Sequence, residues 1–232
     1  MTKPIEPIDL LKIIKQLKNN DTELTELDIA DNEIGEGWGI AFSLLLETNT
    51  VLTKVSLGWN ELGAVCGIAI AEALKINTTI TTLNIEYNLL GERFGVALAE
   101  TLETNTTLTS LDLWGNSLGD VGGIAIANSL EKNTTLTTLK LEYNSLEEGF
   151  GTAITNAMEK NTTLTTLDIE SNGLEEEFGV DVLDMLKRNT SLTSLTIDSY
   201  MTNYSEIQDI LAKREPPVEG PLVKVAMPSI PR

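Results

Sequence analysis

The sequence predicts an α/β solenoid, a stack of short strand-turn-helix units with a parallel sheet along one side and helices along the other. Three observations carry that expectation. Leu24, Leu52, Ile80, Leu108, Leu136, Leu164 and Leu192 follow one another at a constant step of 28 residues, and a fixed period in the range of roughly 20–50 residues marks a repeat array. Within LTTLKLEYNSL at 136–146, Leu139 and Leu141 fall on one face of a short strand while Thr138, Lys140 and Glu142 fall on the other. After the strand exit, Trp38, Ala41, Phe42, Leu45 and Leu46 keep helical spacing in the first full unit. Such a unit cannot bury both apolar faces alone, so its neighbours complete the core and stability is a sum of nearest-neighbour contacts.

The elements follow in order. Residues 1–20 read as an amino-terminal cap helix, with Leu10, Leu11, Ile14 and Leu17 of PIDLLKIIKQLK (7–18) at helical spacing. Residues 21–204 hold six full units and a degenerate seventh, which keeps SLTSLTI at 191–197 but places Tyr200 where an Asn is due. Ser205 reads as the N-cap of a closing helix over 205–214, EIQDILAKR following it. The remaining segment, 215–232, holds five of the seven prolines and reads as an extended tail. Two roles stay open for it, packing back through Val223, Val225 and Met227, or carrying a short linear motif.

The joints between units have a recurring vocabulary. NTTLTTL stands at 133–139 and 161–167, and NTTITTL at 77–83. Asn-Thr-Thr is also a glycosylation acceptor. The equivalent slots, Asp21, Asn49, Asn77, Asn105, Asn133, Asn161 and Asn189, keep the period even where the acceptor triplet is incomplete, as at Asn49-Thr50-Val51. The phrase therefore reads as a helix-to-strand turn. A second column, Asn32, Asn60, Asn88, Asn116, Asn144 and Asn172, stands at the strand exit, where an amide satisfies backbone groups that the turn would orphan. Gly39, Gly67, Gly95, Gly123, Gly151 and Gly179 allow close approach of neighbouring helices. Trp38, Cys66, Phe94, Phe150 and Phe178 precede those glycines, which makes Cys66 a small core residue and not a nucleophile. Glu147-Glu148 and Glu175-Glu176-Glu177 stand where helices start, a place that favours negative charge.

The unit LxxLxLxxNxL, over about residues 20–200, resembles the leucine-rich repeat family. Its 28-residue length and long helical half resemble the ribonuclease-inhibitor-like subclass, which is also seen in NOD-like receptors, Ran GTPase-activating proteins, tropomodulins and bacterial effectors. The resemblance implies a leucine-rich repeat solenoid, a curved right-handed superhelix with the sheet on its concave side, and a role in recruiting partners. It leaves open a regulator of a small GTPase or of actin, or an effector acting on a host protein.

Composition narrows the function classes. Sixteen Lys and Arg against 35 Asp and Glu give a net charge of −19, which repels nucleic acid and anionic membranes. The single cysteine and an amino-terminal stretch interrupted by charges point to a reducing, cytoplasmic setting, with delivery into a host cell as the alternative. Histidine is absent, which removes the usual general base and the commonest zinc ligand. No DxDxDG calcium loop is present. No enzyme activity, cofactor or metal is implied, and a monomer is expected.

Function is sought where units differ. One solvent-facing strand column runs Glu26, Lys54, Thr82, Ser110, Thr138, Thr166, Ser194, and a second Asp28, Ser56, Asn84, Asp112, Lys140, Asp168, Thr196. The third runs Ala30, Gly58, Glu86, Trp114, Glu142, Glu170, Asp198, with Trp59, Tyr87 and Tyr143 one residue later. The candidate partner-binding residues are Trp59, Glu86, Tyr87, Asp112, Trp114, Glu142, Tyr143, Asp168 and Glu170. Aromatics supply contact area and carboxylates select a protein partner with a basic surface.

Overall fold

The computed structural model describes residues 7–214. Seven three-residue strands, β1 (Glu26–Asp28), β2 (Lys54–Ser56), β3 (Thr82–Asn84), β4 (Ser110–Asp112), β5 (Thr138–Lys140), β6 (Thr166–Asp168) and β7 (Ser194–Thr196), form one sheet in sequence order. They alternate with α1 (Pro7–Lys18), α2 (Gly35–Leu46), α3 (Gly63–Ile76), α4 (Gly91–Leu102), α5 (Gly119–Ser129), α6 (Glu148–Met158), α7 (Phe178–Leu186) and α8 (Tyr204–Leu211). Every strand pair is parallel and in the register of the repeat: Glu26 faces Lys54, Lys54 faces Thr82, and so on to Thr166 and Ser194. The chain folds as the leucine-rich repeat solenoid that its period predicts.

The core lies between sheet and helices. Leu27, Val55, Leu83, Leu111, Leu139, Leu167 and Leu195 point inward from the strands, and Phe42, Ile70, Leu98, Ile126, Ile154 and Val182 meet them from the helices. Each such side chain, removed from water, contributes on the order of 1.5–3 kcal/mol before entropy is counted. Cys66 is among them, fully buried, and burial pushes its thiol up to about 12, with Glu36 nearby adding to the effect. It packs as a small core side chain. Gly95 shows why the helices need a glycine column: a β-carbon there would stand 2.7 Å from Cα of Gly122 in the next unit.

Both asparagine columns are built into the backbone. At the helix-to-strand turn, Asn77 donates to the Leu46 carbonyl (2.8 Å) and accepts from the Ile80 amide (2.9 Å), and Asn133 and Asn161 repeat the arrangement. With 4% exposure, these amides hold the stack together and present no atom on which a sugar could be placed in the folded chain. At the strand exit, each Asn backbone amide donates to the side-chain oxygen of the next Asn, from Asn32 through Asn60, Asn88, Asn116 and Asn144 to Asn172.

Three expectations need correction. Leu11 stands 66% exposed and Ile13 packs on the core in its place, while Leu10 and Ile14 are half-buried and Leu17 buried, so one member of the stripe read in sequence faces outward. Ala41 is exposed, and Ser43, whose hydroxyl donates to the Ile40 carbonyl, is buried instead. The closing helix starts at Tyr204 after Asn203, which sits in the left-handed region with no side-chain cap bond, so Ser205 lies inside the helix and not at its cap. The proline-rich tail expected at 215–232 lies outside the described residues, as do residues 1–6 of the cap segment.

Candidate binding face

The strand exits place the candidate residues. In each unit the residue before the strand-exit Asn is driven into the left-handed backbone region, with φ of 59° at Asp31, 60° at Trp59, 51° at Tyr87, 68° at Gly115, 53° at Tyr143 and 57° at Ser171. That conformation suits Gly, Asn or Asp and disfavours bulky side chains. Units one, four and six place a small residue there, and units two, three and five an aromatic. The fold does not ask for those rings.

The rings meet across units. Trp59 and Tyr87 stack with centroids 3.9 Å apart and planes 15° from parallel. Trp114 leans on both, 5.5 Å from Trp59 and 5.6 Å from Tyr87, and Tyr143 stands edge-on to Trp114 at 6.0 Å. Gly115 makes the contact possible, because a β-carbon there would meet Tyr87 Cδ2 at 2.7 Å. The cluster remains open to solvent: Trp59 is 42%, Tyr87 45% and Tyr143 61% exposed. Offset and edge-on contacts of this kind are worth about 0.5–1.5 kcal/mol each, which offsets part of the backbone strain.

The carboxylates divide into two groups. Asp112 and Asp168 accept from the backbone amides of Trp114 and Glu170, two residues on, and Asp28 and Asn84 do the same for Ala30 and Glu86. Asn84 fills that role without a charge, so the turn accounts for the residue shape at these positions and not for the acids. Glu86, Glu142 and Glu170 belong to the other group. Glu86 folds over Gly58, where a β-carbon would meet its Cγ at 2.7 Å. Glu170, one unit beyond Glu142 in the same column, stands exposed.

Glu142 is the perturbed one. Burial, then the charge of Asp168 and a hydrogen bond with it, raise its carboxyl to about 7. Its Oε2 is buried and has no hydrogen-bond partner. Lys140 lies in register between Asp112 and Asp168 and pairs with Asp112 at 2.9 Å. Glu142 and Asp168 are thus left facing each other, with Lys140 attracted to Glu142 but bonded to Asp112. The other lysine of these columns, Lys54, pairs with Glu26 at 2.8 Å. The structure therefore brings Trp59, Tyr87, Trp114 and Tyr143 into one cluster and sets Glu142, Asp168 and the Asp112–Lys140 pair beside it. Sequence spacing missed the choice Lys140 makes and the burial of Glu142, because both depend on which neighbour a long side chain reaches.

Among the described residues, no helix is long and apolar enough to cross a membrane, and no group of three or more His, Cys, Asp or Glu residues could hold a metal ion.

A model of the leucine-rich repeat matches residues 20–36, 48–71, 104–127 and 160–177. No curated protein matches the chain. Among solved structures, one described as leiomodin-1 actin-binding site 2 is similar over 90% of this chain and 89% of its own, with 20% identity and a TM-score of 0.50. The tropomodulin C-terminal domain of Caenorhabditis elegans is similar over 78% of this chain and 93% of its own, with 18% identity and a TM-score of 0.50. At such identities the likeness is one of fold.

Proposed function

We propose that this chain, whose repeats match the leucine-rich repeat, is a non-enzymatic scaffold that binds a partner protein through the aromatic and acidic edge of its concave face. The observation that carries this reading is the open cluster of Trp59, Tyr87, Trp114 and Tyr143, three of whose rings stand on backbone that disfavours them. Exposed Trp and Tyr are the residue types that dominate binding energy at protein interfaces. Glu86, Glu142, Asp168 and Glu170 around them favour a basic, Arg- or Lys-bearing partner surface. Nucleic acid and anionic membrane fit poorly with a net charge of −19.

The other roles open to this repeat type are weaker here. A nucleotide-directed GTPase regulator would want a free cation on this face, and Lys54 and Lys140 are both engaged by carboxylates. One structural relative is described as an actin-binding site, so actin is the first named partner to try. A monomer working in the cytoplasm is the setting we adopt, with delivery into a host cell as the alternative.

The test is a titration of the full chain and of the triple variant Glu86→Lys, Glu142→Lys, Glu170→Lys against actin and against proteins captured from lysate by the wild type. The variant should keep the circular dichroism of the wild type and bind its partner about 10–100-fold more weakly. Equal affinity in both would refute the acidic face as the selector.

A further inference from the structure

The carboxy-terminal end of the stack is open. β7 pairs with β6 and has no strand on its other side among the described residues. In every earlier unit two backbone groups that flank the strand bond to the unit that follows. The residue after each strand donates its amide to the last carbonyl of the next strand: Ile29 to Ser56, Leu57 to Asn84, Ile85 to Asp112, Leu113 to Lys140, Leu141 to Asp168 and Ile169 to Thr196, at 2.8–3.0 Å. The threonine before each strand accepts in turn, as Thr165 does from the amides of Thr193 and Ser194 at 2.9 Å. In the seventh unit the equivalent groups, the Ile197 amide and the Thr193 carbonyl, have no partner among the described residues, although the Ile197 side chain is only 2% exposed. A buried backbone group left unpaired is costly, and an open strand edge is a template for another strand.

A groove of about 350 Å³ runs along this edge, lined by Thr193 to Thr196 of the β7 segment and by Tyr204, Gln208, Leu211 and Ala212 of α8. The chain leaves α8 at the mouth of that groove. Arg214 fixes the exit by donating to the carbonyls of Leu192, Leu186 and Asn189.

One further period of 28 carries Ser194–Thr196 onto residues 222–224, and sets Val223 and Val225 at the positions of the inward-facing Leu195 and Ile197. We propose that the open edge of β7 and its groove are the docking site of this chain's own segment 222–225, taken up as an eighth parallel strand. The Lys224 carbonyl then receives the Ile197 amide, and the Leu222 amide reaches the Thr193 carbonyl as Ser194 reaches Thr165. Val223 and Val225 cover the apolar end of the stack. Pro221 lacks an amide, but it stands at the strand start, where that loss is tolerated, and with Lys224 it makes the new outer edge a poor template. The side-chain amide of Gln208 now touches the Leu195 carbonyl at 3.5 Å, a long contact that the incoming strand replaces. The connection suffices, since ten residues lie between Leu211 and Leu222 and only seven between Leu46 and Lys54.

Amide hydrogen exchange on the full chain tests the proposal. The Ile197 amide should exchange slowly, like that of Ile169, and the full-chain variant Val223→Asp, Val225→Asp should speed it by about 10–100-fold while leaving Ile169 unchanged. An Ile197 amide as fast in the wild type as in the variant would overturn the docking. Register is read by pairing Thr196→Cys with Lys224→Cys, neighbours about 4.8 Å apart in a parallel pair and so within disulfide reach. Cys66, fully buried, does not compete. A disulfide within one chain supports the eighth strand. A disulfide between two chains would overturn it in favour of exchange with a second copy, and no disulfide would overturn the register.

Discussion

Two columns run side by side along the strand exits, one residue apart. In the first, Asn60, Asn88, Asn116 and Asn144 are fully buried, and each amide satisfies the backbone of its own unit and of a neighbour. In the second, Trp59, Tyr87, Gly115 and Tyr143 occupy one backbone conformation with side chains of entirely different size. The stack needs an amide in the first column and only a positive φ in the second. What varies under an unvarying backbone is free to serve a partner, and here it gathers aromatic rings beside carboxylates. The lesson is that identity repeated at the period reports the fold, and departures from it at tolerant positions report the use.

The buried column is most sensitive at Asn88. Its side chain donates to the carbonyls of Leu57, Ile85 and Glu86 and accepts from the amides of Asn60 and Leu62. Asn88→Ala orphans several buried groups at once, and a loss of about 3–5 kcal/mol is expected in a urea titration. A loss below about 1 kcal/mol would mean that water replaces the amide and that the column is not structural.

The neighbouring position should respond in the opposite way. Tyr87→Gly removes a stacked ring worth about 0.5–1.5 kcal/mol but also relieves a left-handed backbone cost of about 1–2 kcal/mol. Stability in the same titration should therefore move by no more than about 1 kcal/mol. Partner affinity should fall about 30-fold, as for an anchoring aromatic. If Tyr87→Gly unfolds the chain as Asn88→Ala does, the two columns are alike and the comparison fails.

The remaining expected effect is electrostatic and shows only as pH is varied. Glu142 has a folded-state value of about 7, against 4.5 for an unperturbed glutamate, so between those values the native chain holds a proton that the unfolded chain has released. Stability contributed by the protonated carboxyl is complete below about pH 4.5 and declines as pH rises through 7. Glu142→Gln should remove that decline, so that the urea midpoints of variant and wild type agree near pH 4.5 and separate by pH 8, with the variant higher. Parallel midpoints across this range would show that Glu142 is neither desolvated nor opposed by Asp168.

Most of the fold was legible in the sequence because a repeat announces itself through spacing alone. The 28-residue step located every strand, and Leu139 and Leu141 revealed which face turns inward. The ends were less legible, since α1 and α8 each pack on one neighbour and lack a repeated pattern to set their rotation. Leu11 and Ser205 were misplaced for that reason. On the candidate face, the columns could be listed from sequence, but three things could not. Lys140 has two acidic register neighbours and takes Asp112, Glu142 loses its water between neighbouring side chains, and Asp112 and Asp168 turn one oxygen to the backbone. Side-chain choices among chemically equal neighbours are decided in three dimensions.

Photocrosslinking from defined positions locates the binding face. With benzoylphenylalanine in place of Tyr87 or Tyr143 on the strand exits, and of Val65 or Val96 on the exposed sides of α3 and α4, the account predicts partner adducts from the first pair alone. Excess wild-type protein should compete them away, and the Glu86, Glu142, Glu170 lysine variant should not. Adducts that form from Val65 or Val96 while Tyr87 and Tyr143 stay silent would contradict the account and move the binding face to the helices.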